Sequence, residues 1–77
     1  MDNQIRQIFA KTFNLNISDI KDDMVPDDIA LWDSLGHLNL ISSLEENFKI
    51  ELEFEEMFEI VSFQSIIDII DRKLNGK

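Results

Sequence analysis

The chain contains no cysteine. Disulfides and thiolate-held metals are therefore excluded as supplements to its core, and no side chain can itself hold a thioester. Long apolar runs are missing as well. The longest, Ile29-Ala30-Leu31-Trp32, is four residues, where a bilayer-spanning helix needs about 20. Basic residues are scarce: seven Lys and Arg stand against 16 Asp and Glu, for a formal charge of −9. Such a chain repels nucleic-acid phosphates and anionic membrane surfaces, so neither is an expected partner. Met1-Asp2-Asn3-Gln4 lacks the basic-then-apolar pattern of a signal peptide, and a soluble cytoplasmic protein is the expectation. Repeats, low-complexity tracts and linkers are absent too. The 77 residues predict one domain over 1–77, a monomer with a small core and a stability of about 4–11 kcal/mol.

The acids that are present are unevenly placed. Ten of them, with Lys49 as the single base, lie between Asp27 and Glu59, so this stretch carries the whole imbalance. Dispersed acids commonly serve solubility. Concentration in one stretch points instead to a recognition surface for electropositive proteins.

Hydrophobic spacing predicts helices and no strand. Ile5, Ile8, Phe9, Thr12 and Phe13 mark a first helix over 3–14 with Asp2 as its N-cap. Residues 15–33 hold no period and contain the breakers Ser18-Asp19, Asp22-Asp23 and Pro26-Asp27-Asp28. Yet Leu15, Ile17, Ile20, Met24, Val25, Ile29, Leu31 and Trp32 recur through them, which predicts a long loop packed onto the core. One helical turn is possible near Ser18–Lys21. Asp33 should cap a second helix over 34–48, with Leu35, Leu38, Ile41, Leu44 and Phe48 as its apolar stripe and Leu40 widening it. The alternation from Ile50 to Phe54 has no partner strand and reads as loop. A short helix over 55–60 should bury Met57 and Ile60. Ser62 should cap a last helix with Phe63, Ile66, Ile67, Ile70 and Leu74 inward and Gly76 as its C-terminal cap. The fold class is all-α: three main helices, one short helix and a long first loop.

Asp33-Ser34-Leu35 places a serine hydroxyl at the positive end of the second helix, a favourable position for a phosphate ester. Gly36 costs that helix about 1 kcal/mol against alanine, and clearance for a bulky attachment would explain it. Taken alone, such a tripeptide is more often a pair of capping residues. His37 lies one turn after Ser34, but no orienting group or Gly-x-Ser-x-Gly elbow accompanies it, so hydrolysis is disfavoured. A solvated or partner-contacting histidine is expected, with Trp32 as a loop anchor. The aspartates of 19–28 miss the EF-hand spacing, and no metal site is predicted.

The segment from Trp32-Asp33-Ser34-Leu35-Gly36-His37-Leu38 through Leu44-Glu45-Glu46-Asn47-Phe48 resembles the acyl carrier protein family. The first helix, the long loop, the short acidic helix and Ser62-Phe63-Gln64 fall in matching places. The resemblance implies a carrier, not an enzyme. Ser34 would bear 4′-phosphopantetheine, transferred from coenzyme A by a phosphopantetheinyl transferase, and Asp33 would position that serine. Leu35, Asn39, Ser42, Glu45 and Glu46 would face partner enzymes. Leu40, Leu44, Leu52, Phe54, Ile60 and Ile67 would be candidates to line a cleft for the acyl chain. An acyl- or aminoacyl-activating ligase, a ketosynthase or an acyltransferase would load or use the arm.

The sequence departs from housekeeping fatty-acid carriers at Trp32, at Gly36-His37, and at Asn39 and Ser42 on the recognition face. These departures look more like dedicated carriers of polyketide, hybrid peptide or surface lipid and glycan pathways. Fatty-acid synthesis is the alternative within the family. An acidic, non-catalytic adaptor for a basic partner is the alternative outside it.

The crowded acids of 27–59 predict that added salt or magnesium raises the melting temperature by screening repulsion. A melting temperature flat across ionic strength would show those charges to be already paired or well separated.

Overall fold

The structure is a computed structural model that describes residues 2–75. Four helices account for its order: α1, Asp2–Phe13; α2, Ser34–Phe48; α3, Phe54–Glu59; and α4, Phe63–Asn75. No strand occurs among the described residues. Asp2 lies within the first turn of α1 rather than capping it, and Gly76 lies outside the described residues. Reversals follow α1 and α2 at Asn14 and Lys49, both with left-handed φ near 55°.

The core is built around one ring. Phe9 of α1 meets Phe13, Trp32 and Phe63 edge-to-face at centroid distances of 4.9, 5.2 and 5.0 Å. It therefore joins α1, the long loop and α4 through the favoured aromatic geometry. Ile5, Leu40, Leu44, Ile66 and Ile70 complete the fully buried set. Arg6 lies over the outer face of Phe63, 4.8 Å from its centroid.

The long loop is ordered by backbone bonds as well as by burial. It makes two single 3₁₀ turns, Ile17–Asp19 and Pro26–Asp28. The second was not expected from a segment rich in breakers. Pro26 opens it, at a position where the missing N–H costs nothing, and Asp28 accepts from the Val25 N–H at 3.0 Å. Ile20, Ile29 and Trp32 are buried, Leu15 and Met24 half-buried, and Ile17, Val25 and Leu31 exposed. The first N–H groups of α4 have no acceptor inside that helix. The loop supplies them: Phe63 donates to the Met24 carbonyl and Gln64 to that of Asp22, each at 2.9 Å. Ser62 accepts from the Ser65 N–H at 3.2 Å, which completes the cap.

Three expectations about faces are corrected. On α2 the buried side is Gly36, Leu40, Ile41 and Leu44, whereas Leu35 and Leu38 point outward and Phe48 is half-buried. On α4 Ile69 is buried, while Ile67 is half-buried and Leu74 lies at the exposed end. Gly36 does not provide clearance for an attachment. A Cβ there would overlap the Leu31 carbonyl oxygen and come within 3.0 Å of the Phe13 ring. Glycine is needed because the loop backbone lies directly on the first turn of α2.

Alanine would ordinarily stabilise a helical glycine site by about 1 kcal/mol. Gly36→Ala is instead expected to destabilise by at least about 2 kcal/mol, because a backbone carbonyl must move. Urea denaturation decides the sign, and an unchanged or raised midpoint would contradict the contact.

Candidate functional site

The loop delivers its last residue, Asp33, in extended conformation to the start of α2. Its side chain accepts from the Gly36 N–H at 2.9 Å, the usual N-cap bond. Ser34, the next residue, is exposed, and no hydrogen bond involves its Oγ among the described residues. That hydroxyl stands in the helix's first turn, where N–H groups lack helical acceptors and the dipole favours negative charge.

An open apolar cleft of about 460 Å³ begins beside it. Asp33 and Ser34 are at its edge; His37, Leu38 and Ile41 line it from α2, and Phe54, Met57 and Phe58 from α3. Trp32 and Pro26 contribute from the loop. Phe54 and Phe58 stack edge-to-face at 5.0 Å, yet are 70% and 68% exposed. With Leu35 at 69%, they leave large apolar side chains uncovered around the serine.

His37 is half-buried, and both of its ring nitrogens are engaged. Its Nδ1 accepts from the Trp32 indole N–H at 2.9 Å, and its Nε2 lies 2.9 Å from the Met57 carbonyl oxygen. The first bond leaves Nδ1 without a proton, so the neutral ring carries it on Nε2 and donates it to Met57. Among the described residues no orienting carboxylate bonds the imidazole, and the ring does not bond Ser34.

Outside the cleft, α3 is tied to α4 by charge. Arg72 lies 2.9 Å from Glu59 and 3.6 Å from Glu56, and Lys73 lies 3.0 Å from Glu56. The Glu53 N–H donates to the Glu56 carboxylate at 2.7 Å. That bond, followed by the one from Lys73, holds the Glu56 carboxyl below its ordinary value of 4.5.

The other nominated residues divide. Leu35, Asn39, Ser42 and Glu46 are exposed and share one outward stripe of α2. Glu45 is half-buried and accepts from the Leu52 N–H at 2.9 Å, so one of its oxygens braces the loop after α2. Of the six residues nominated for an acyl cleft, Phe54 lines the open one. Leu40, Leu44, Leu52 and Ile60 are buried in the core, and Ile67 is half-buried. Sequence reasoning missed His37, Leu38, Ile41, Met57 and Phe58 as lining. One signal for them was available: α2 holds more apolar residues than one face can bury, so some must serve another surface.

Residues 3–70 match the family described as "Phosphopantetheine attachment site". The chain belongs to that family. Its fold resembles the solution structure of a holo acyl carrier protein from Geobacter metallireducens, with a TM-score of 0.86 and 31% identity, covering 97% of this chain and 86% of that one. It is also 30% identical over 73 residues to the non-reducing polyketide synthase dbaI of Emericella nidulans, spanning 95% of this chain but 3% of the synthase's length.

Over the matched residues this chain is thus a non-catalytic carrier of the acyl carrier type, and its cofactor is covalent 4′-phosphopantetheine. Carriers of this kind work with phosphopantetheinyl transferases and synthase enzymes. The residues present fit the group: a free hydroxyl at a helix N-terminus for its phosphate, and an adjoining apolar cleft for what hangs from it.

Glu56, depressed in the folded state, contributes stability above pH about 4.5 that is lost as pH falls through its folded value. Glu56→Gln should therefore lose less stability than the wild type between about pH 5 and pH 3. Denaturant titrations at both pH values test this; equal losses would show that the Glu56 carboxylate gains nothing from the Glu53 N–H and Lys73.

Proposed function

We propose that Ser34 is the attachment point, and that the chain presents an acyl or aminoacyl group to the enzymes of a specialised biosynthetic pathway. One observation carries this reading: a serine hydroxyl exposed and unbonded at the positive end of α2, beside an apolar cleft. The bound group supplies the thiol, and hence the thioester linkage, that this cysteine-free chain cannot provide. Asp33 keeps the first turn of α2 wound by holding the Gly36 N–H, which leaves Ser34 facing solvent and open to a transferase.

Partner docking follows from the surface around that serine. Leu35, Asn39, Ser42 and Glu46 present a mixed stripe of α2, and Phe54 and Phe58 add apolar contacts. Acids concentrated between Asp27 and Glu59 favour electropositive partners and fast, charge-steered encounters that also release readily. Such partners would be the transferase and a loading ligase, ketosynthase or acyltransferase.

A polyketide, hybrid peptide or surface lipid or glycan pathway is preferred to fatty-acid elongation. Gly36 and His37, where housekeeping carriers have other residues, are committed here to specific contacts with Leu31, Trp32 and Met57. Similarity to a polyketide synthase supports the same preference. A monomer working in the cytoplasm completes the proposal.

Incubation with coenzyme A and a broad-specificity phosphopantetheinyl transferase should add the mass of one phosphopantetheine to the intact protein. Ser34→Ala should abolish that gain while leaving the melting temperature nearly unchanged, because the side chain makes no internal bond. No gain on the wild type, or a gain that survives the substitution, would refute the assignment.

A further inference from the structure

The short helix α3 forms one wall of the cleft, yet none of its six residues is buried. Helices of this length do not stand alone in water. Its apolar anchorage is slight beside that of the other helices: Met57 alone of the six is a half-buried apolar residue packed against the core. Polar ties at both sides add to that single contact. Toward α4 these are the carboxylates of Glu56 and Glu59 against Arg72 and Lys73. Toward α2 there is His37, whose Nε2–H reaches the Met57 carbonyl, an acceptor in the last turn that the helix itself leaves unpaired. The same ring is held in turn by the buried Trp32 indole, to which it is hydrogen-bonded edge to edge with the two planes within 15° of parallel.

We infer that His37 is a positioning residue for the cleft, fixing α3 at its distance from α2 so that Met57 and Phe58 form a wall beside Ser34. The inference rests on the Ser34 reading for its purpose: the space so defined receives an apolar acyl group carried on the arm. Trp32 and Pro26 add apolar surface, and both imidazole nitrogens are already engaged. The cleft therefore selects for cargo without polar groups near the part that enters it.

Two variants separate positioning from general support. His37→Asn keeps an acceptor near the position of Nδ1 for Trp32 but is too short to reach Met57. His37→Gln places an acceptor and a donor at about the spacing of the two ring nitrogens and can satisfy both partners. Native-state amide exchange on the holo-protein is the readout. In His37→Asn the amides of Met57, Phe58 and Glu59 should exchange about tenfold faster, while those of α1 and α4 stay within about twofold of wild type. His37→Gln should restore the slow rates. With an octanoyl group loaded on the arm, hydroxylamine should cleave the thioester several-fold faster in the Asn variant than in wild type or the Gln variant. Uniform acceleration across all helices, no acceleration, failure of glutamine to rescue, or equal cleavage rates would each overturn the inference. If the wild type accepts no phosphopantetheine, the Ser34 reading fails instead, and exchange on the unmodified protein still decides the role of His37.

Discussion

The approach of the Leu31 carbonyl to Gly36 leaves no room for a side chain, and the geometry of the site depends on it. Through this contact the loop lies flat on the first turn of α2. The following residue, Trp32, then enters the core against Phe9 and Phe13, 3% exposed. With Trp32 held, Asp33 can only leave the loop as a cap, and Ser34 must emerge at the helix tip with its hydroxyl outward. The serine is presented by everything around it and bonded to none of it. An attachment point needs that combination, since an internal bond to the hydroxyl would compete with the transferase and a loose loop would blur its position.

Different forces place the two walls of the cleft. α2 is secured by Leu40, Ile41 and Leu44 in the core, so its face beside Ser34 is rigid. α3 has no fully buried residue; beyond the half-buried Met57 it is held by a histidine on one side and two cations on the other. A carrier must hold its cargo and then surrender it. A wall retained by one half-buried apolar side chain, a few hydrogen bonds and ion pairs at the surface can open at a cost below that of disrupting the core.

The helices and their order were legible in the sequence because α1 and α4 carry strong periodic patterns, and Asp33 and Ser62 are good caps. The loop after α2 was also legible, since no second strand existed to pair with the alternating segment, although Phe54, read as its last residue, opens α3. Periodicity was less reliable in α2, where Leu35 and Leu38 continue an apolar line that the helix turns outward. Hydrophobicity alone cannot separate a residue for the core from one for a cleft. Gly36 was noticed for its cost, but the reason for it is a tertiary contact that no local pattern reports. His37 was weighed against Ser34, its helical neighbour, whereas its partners are Trp32 and Met57, the second 20 residues away. The family resemblance identified the serine segment, and only the three-dimensional arrangement shows what surrounds it.

Phosphorus–proton correlation NMR on the protein isolated from its own cells tests the central claim most directly. A phosphodiester signal coupled to the β-protons of Ser34 is the predicted result. A protein free of phosphorus in cells that make the pathway's product, or a phosphodiester coupled to Ser18, Ser42, Ser43, Ser62 or Ser65, would contradict it.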